Sequence, residues 1–159
     1  MIRSIALPAP KFEYLFRLTL VRGETVSIGQ TPEGEQFLFP YPAGTFHGEK
    51  LNGTVLPCGG DWTTRRPDGS FEIDGKYILK TDDGAILSVV CKGIAQLSPK
   101  QLTSVKNGGI LLSEDAYYRV RLFVEAGKKA YRWLNSLSVI ALGSIDENGH
   151  ICLDAYGLR

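Results

Sequence analysis

Tyr131, Trp133 and Asn135 alternate with Arg132 and Leu134, so in an extended chain they share one face carrying a phenol, an indole and an amide. Such a face suits the wall of a ligand cavity better than a dry core. Plain packing of the ring and backbone bonding by the amide are the rival readings. Arg119 shares a strand face with Arg121, Phe123 and Glu125. Turned inward, its guanidinium is a fixed cation beside a substrate, and Arg119 with Glu125 is otherwise a structural ion pair. Asp61 and Trp62 follow the double glycine Gly59-Gly60, which suggests a bulge that aims side chains at a site, against a rim turn in which Asp61 bonds nearby amides. His47, between Phe46 and Gly48, titrates near neutral pH and is a candidate proton carrier.

The elements that must position these residues are strands. From Phe12 to Leu20 every second residue is apolar, and this two-residue beat returns along most of the chain. Strands are expected near Glu24 to Ile28, Phe37 to Phe39, Gly44 to Gly48, Lys50 to Cys58, Tyr117 to Glu125, Ala130 to Ile140 and His150 to Ala155. Phe71 to Thr81 and Ala85 to Cys91 form the clearest hairpin, joined by Asp82-Asp83-Gly84, where Asp-Gly favours a primed turn. Tyr77 falls on its core face with Ile73 and Leu79. Ser98-Pro99-Lys100-Gln101 opens one short helix, with Ser as N-cap, Pro at the first position and Gln three residues on, and Asn107-Gly108-Gly109 stops it at Lys106. That helix is a lid or an end plug. Roughly ten strands and one short helix predict an all-β fold, a closed antiparallel barrel spanning residues 1–159 as one domain, since closure removes exposed edges.

The charge balance is +1, from 18 basic and 17 acidic residues. No basic run exceeds Arg65-Arg66 or Lys128-Lys129, so nucleic acid is a poor partner. No apolar run approaches the ~20 residues that span a bilayer, so no membrane is expected either. Cys58, Cys91 and Cys152 lie too far apart for a C-x-x-C pair and are odd in number, which fits reduced thiols and a cytoplasmic setting. The start, Met1-Ile2-Arg3 and then Ile5-Ala6-Leu7-Pro8, lacks the apolar region of a secretory signal. No dinucleotide fingerprint, P-loop, nucleophile elbow or zincin pattern occurs, and two histidines are too few for an evident metal site. No cofactor and no metal are expected.

One ordered set of segments goes beyond composition: Gly44-Thr45-Phe46, Gly53-Thr54-Val55-Leu56-Pro57-Cys58-Gly59-Gly60-Asp61-Trp62, Arg66-Pro67-Asp68-Gly69, Tyr77 to Ala85 and Tyr131 to Asn135. Together they resemble domain-of-unknown-function family 3237, also called uncharacterised protein family 0311, over about residues 12 to 156. Cys58 stands where the family has a glycine, and Cys91 where it has a strand asparagine. The stretch Tyr118 to Gly127 keeps Arg119, Glu125 and Gly127 of the family pattern and lacks its proline. The resemblance implies a small lipocalin-like barrel with a central cavity. Fungal biosynthetic relatives imply isomerisation or cyclisation of phenolic compounds, including ring closure of chalcones to flavanones.

On that basis the expected function is a cofactor-independent isomerase or cyclase acting on an aromatic phenolic molecule inside the barrel. A phenol of pKa ~10 must lose its proton to attack an enone, and the enolate formed needs donors in place. Arg119, helped by Tyr131 or Asn135, holds that charge in this reading. Asp61 or His47 moves the proton, Trp62 and Trp133 stack on the rings, and Cys91 and Glu125 border the substrate. The rivals are a carrier or sensor of an apolar ligand, with an apolar lumen, and a structural module, as in a homo-oligomer, with a filled one.

Overall fold

The computed structural model describes residues 6–159, so the first five residues of the stretch read for a leader lie outside it. Eleven strands follow in order: β1 (Phe12–Val21), β2 (Val26–Thr31), β3 (Gly34–Tyr41), β4 (Ala43–His47), β5 (Asn52–Val55), β6 (Gly59–Arg65), β7 (Phe71–Thr81), β8 (Ile86–Gln96), β9 (Tyr117–Ala126), β10 (Val139–Ile145) and β11 (Ile151–Leu158). Helix α1 (Pro99–Lys106) lies between β8 and β9, and a 3-10 helix (Lys129–Leu134) between β9 and β10.

The strands form a closed antiparallel barrel. Eight of them close the ring in the order β7-β5-β4-β1-β11-β10-β9-β8, with β8 returning to β7. The remaining three, β6, β3 and β2, continue outward from β7 as a flap. β7 is the shared strand: Phe71 to Lys76 pairs with β6, and Leu79 to Thr81 pairs with β5. β3 and β4 are separated only by Pro42, and β1 and β2 only by residues 22–25, so the chain bends at Pro42, which has no N–H for a ladder, and the Gly23 N–H bonds the Pro40 carbonyl at 2.8 Å across the corner.

The two-residue beat is broken in β1, and the β2–β3 ladder also shifts register between Ser27 and Gly29. Leu15 is an extra residue in the β1–β11 ladder, so the pairing jumps from Tyr14 with Tyr156 to Phe16 with Ala155. A bulge shifts everything before it to the other face. Phe12 and Tyr14 are therefore exposed, while Leu15, Phe16, Leu18 and Leu20 are buried.

Local chemistry explains the connections. Arg66-Pro67-Asp68-Gly69 and Asp82-Asp83-Gly84 both turn with only the glycine at positive φ. The second loop is thus a turn closed by a left-handed Gly84 rather than the expected primed turn, which needs positive φ at a non-glycine too. β7 and β8 pair through ten consecutive partners, from Phe71 with Ala95 to Lys80 with Ile86. The helix starts as its sequence predicts, with reciprocal bonds between Ser98 and Gln101 at 3.1 and 2.9 Å.

Two further expectations are corrected. Gly59-Gly60 makes no bulge, because Tyr41 to Phe39 pair with Gly59 to Asp61 in unbroken register. Asp61 accordingly points inward from a regular strand. The stretch from Ala130 is not a strand: Lys129–Leu134 winds into the 3-10 helix, and pairing resumes only at Val139. A three-residue alternation was too short to separate the two conformations.

The core fills one half of the barrel. Phe16, Phe46, Val55, Leu79, Leu87, Val124 and Leu134 are all at most about one-twentieth exposed there, with Phe16 and Phe46 in edge contact at 6.2 Å. Each such side chain contributes about 1.5–3 kcal/mol by burial. The other half, under α1 and the flap, stays hollow. Among the described residues no helix is long and apolar enough to cross a membrane.

Candidate functional site

The hollow half holds a cavity of about 460 Å³ that opens to solvent. Phe37 and Phe39 of β3, Phe71 and Ile73 of β7, Ile145 and Ile151 supply most of its apolar wall, and Leu102 and Val105 of α1 cover it. Its floor is polar. Tyr41, Asp61 and Tyr118 all line the cavity and are at most 6% exposed.

Asp61 is the centre of that floor. Tyr41 donates its hydroxyl to Asp61 Oδ2 at 2.5 Å, and Tyr77 donates to Asp61 Oδ1. The two rings meet edge to face, with centroids 5.6 Å apart. Burial pushes the Asp61 carboxyl up to about 6, and the tyrosine hydroxyls oppose that rise by bonding the charged form. Tyr41, Tyr77 and Tyr118 are pushed well above the ordinary phenol range by burial first and the Asp61 charge second, so at neutral pH they are proton donors. Among the described residues every buried side-chain nitrogen and oxygen has a hydrogen-bond partner.

A carboxyl with hydroxyl donors beside it, at the bottom of a hollow with a mainly apolar wall, can accept and return a proton. Asp61 inclines inward because it alternates with exposed Trp62 and buried Thr63 along β6. Tyr77 alternates inward with Ile73 and Leu79 along β7. Tyr77 is thus core, as expected, and also holds the carboxylate.

The other expected residues are placed elsewhere. Arg119, Arg121, Phe123 and Glu125 form the outer face of β9, because Tyr118, Val120, Leu122 and Val124 take the inner one. Arg119 bonds the Tyr118 and Ser113 carbonyls at 3.0 and 3.1 Å and lies over the Tyr117 ring. Glu125 is exposed. Trp62 is 49% exposed on the outside of the flap, and His47 is exposed on β4. Tyr131, Trp133 and Asn135 sit past the end of β9 remote from the cavity. There Tyr131 donates to Asp83 at 2.9 Å, Trp133 packs on the core beneath Lys50, and Asn135 brackets the Ala126 backbone N–H and C=O at 2.7 and 3.0 Å. Cys91 is buried, opposite Gly75 in the β7–β8 ladder, and its thiol is pushed up by burial. Of the expected set, Asp61 lines the cavity and Cys91 lies behind it.

Tyr41 and Tyr118 were missed. Tyr118 was legible, since the inward alternation of Val120, Leu122 and Val124 runs back to it. Tyr41 was hidden between Pro40 and Pro42, which read as an interruption. No group of three or more His, Cys, Asp or Glu side chains gathers to hold a metal ion among the described residues.

This floor and barrel can be set beside known proteins. Residues 10–158 match the family described as protein of unknown function DUF3237. The chain belongs to the DUF3237 family. A UPF0311 protein of Rhodopseudomonas palustris is 33% identical over 127 residues, covering 80% of this chain and 83% of the relative. The crystal structure of a conserved protein of unknown function from the same organism has a TM-score of 0.87 at 28% identity, covering 97% of this chain and all of that one. The hydroalkoxylation enzyme phnH of Penicillium herquei is 25% identical over 130 residues, covering 81% of this DUF3237 chain and 71% of the relative.

Proposed function

We propose that the protein is a cyclase that adds a hydroxyl across an activated carbon–carbon double bond within one aromatic, phenolic substrate, with Asp61 moving the proton. The observation that carries this is the buried Asp61 carboxyl, held by Tyr41 and Tyr77, on the floor of the hollow. A relative named for hydroalkoxylation, the addition of O–H across an alkene, supports it. Chalcone-to-flavanone closure is the specific instance we put forward.

The reaction balances internally. Asp61 accepts the phenolic proton, the oxygen attacks the alkene carbon β to a carbonyl, and the π pair moves to the carbonyl oxygen as an enolate. The proton held by Asp61 then goes to the α carbon. Product and substrate are isomers, so the addition consumes no co-reactant. Moving a proton from a phenol of pKa ~10 to a carboxylate near 6 costs roughly 5 kcal/mol, which is tolerable when donors meet the enolate as it forms. Tyr118, neutral and lining the same floor, supplies one such donor, and Tyr41 supplies a second by turning its hydroxyl from Asp61 once that carboxyl has taken up the phenolic proton. The stacked rings of Phe37 and Phe39, centroids 6.1 Å apart, form a flat wall that presses the substrate into a reactive conformer.

A second reading is a carrier of aromatic ligands, which the mainly apolar wall favours. Purified protein with 2′-hydroxychalcones, followed by absorbance and product chirality, separates the two. The cyclase gives one enantiomer in excess at a rate that Asp61→Asn returns to background. Saturable binding with racemic product at the background rate supports the carrier and removes the cyclase.

A further inference from the structure

Arg22, Arg65 and Lys106 also line this cavity, with Glu35 the one acidic residue among them besides Asp61. They come from three separate elements: the end of β1, the end of β6 and the last turn of α1. None of the three makes an ion pair among the described residues. Arg22 spends one guanidinium nitrogen on the Gly149 carbonyl at 3.0 Å, and Arg65 lies over the Phe71 ring, 5.7 Å from its centroid. Arg65 and Lys106 are exposed, whereas Asp61 is 3% exposed. The cavity therefore runs from a wet cationic rim to a dry anionic floor.

Such a gradient orients a guest. An acid group placed on the floor meets the Asp61 charge in a region where charges are poorly screened, and it has only tyrosine hydroxyls to solvate it. The same group at the rim meets three cations and stays hydrated. Phe37, Phe39 and Phe71 line the cavity too and bind the aromatic body in between. We infer that the substrate is an amphipathic aromatic acid, bound with its carboxylate at Arg22, Arg65 and Lys106 and its neutral, reacting end at Asp61. This rests on the cyclase reading only for which end reacts; the rim preference is a binding property and stands or falls by itself.

The test uses dihydrochalcones, which have no double bond to react. Calorimetric titration of the whole protein with 4-carboxydihydrochalcone and with its methyl ester measures the preference directly. The acid is expected to bind about tenfold tighter at 50 mM salt, with most of that ratio lost at 500 mM salt and in Arg65→Gln/Lys106→Gln, whose two positions are exposed. Ester affinity is expected to change by less than about twofold in the double variant. A ratio near one, a preference for the ester, no binding of either compound, or a preference that survives both salt and the double variant overturns the inference. Ring closure of neutral chalcones without any acid preference leaves the cyclase and removes the rim; acid preference without closure does the reverse.

Discussion

Gly75 of β7 stands directly opposite Asp61 of β6, and the space its absent side chain leaves is filled by the Asp61 carboxylate and the Tyr77 hydroxyl. A methyl group there would overlap Asp61 Oδ1. Gly75→Ala is therefore expected to lower stability by about 1–3 kcal/mol and to reduce ring closure at least tenfold, because the carboxylate must leave its place. Gly127→Ala, at a glycine with no heavy atom within 4 Å of the added carbon and no positive φ, is the control and changes neither. Thermal unfolding beside chalcone turnover checks both.

Asp61 makes stability depend on pH in a definite direction. Its carboxyl rises from an ordinary 3.8 to about 6 in the folded protein, so between those values the native state binds more protons than the unfolded one. Stability contributed by the protonated form is complete below about 4 and is lost as pH rises through 6. Asp61→Asn carries no such loss. Its stability relative to wild type is expected to improve by about 3 kcal/mol between pH 4 and pH 7, then stay level. Denaturant unfolding across that range measures the gap, and a constant difference contradicts the assignment.

Tyr41 and Tyr77 separate by what they touch. Tyr77 is absent from the cavity lining and reaches it only through the carboxylate, whereas Tyr41 faces the hollow. Both hydroxyls lower the Asp61 carboxyl, so either Phe substitution moves the acid limb of the kcat/KM profile to higher pH. Tyr41→Phe is expected also to lower the plateau by 10- to 100-fold, while Tyr77→Phe leaves the plateau within a few fold. An unmoved limb in Tyr77→Phe rules out its positioning role.

Residues on the outer wall are expected to matter for folding alone. Trp62→Ala and His47→Ala leave kcat and KM within about twofold. Asn135→Ala removes two bonds to the Ala126 backbone and costs about 1–3 kcal/mol, with no change in the pH profile. Arg119→Ala frees the Ser113 and Tyr118 carbonyls and behaves likewise. A large fall in kcat for any of these would place chemistry outside the hollow.

Strand alternation carried most of the fold. The β7–β8 hairpin, the Ser98 capping box and barrel closure followed from spacing and turn residues that act locally. Sidedness was harder. Along β9 alternation alone leaves two faces open, and burying Tyr118, Val120, Leu122 and Val124 spares Arg119, Arg121 and Glu125 on the other from desolvation. Phe12 and Tyr14 continued the inward pattern until a single extra residue, Leu15, turned them out. Nothing in a two-residue period reports such an insertion. Tyr131, Trp133 and Asn135 were misplaced because three alternating positions fit a strand as well as a tight helix. The contact of Tyr41 with Asp61 joins positions twenty apart through strand pairing, which only the folded register reveals.

The division of the barrel into a packed half and a hollow half sets where this chain tolerates change. Phe46, Leu79, Leu87 and Val124 act as a foundation whose loss threatens the whole molecule, while Phe37, Phe39, Leu102 and Val105 line the cavity and are only partly buried. Swapping residues in the second group resizes the chamber without undermining the first, so one scaffold can be retuned to new molecules by exchanging its roof and walls.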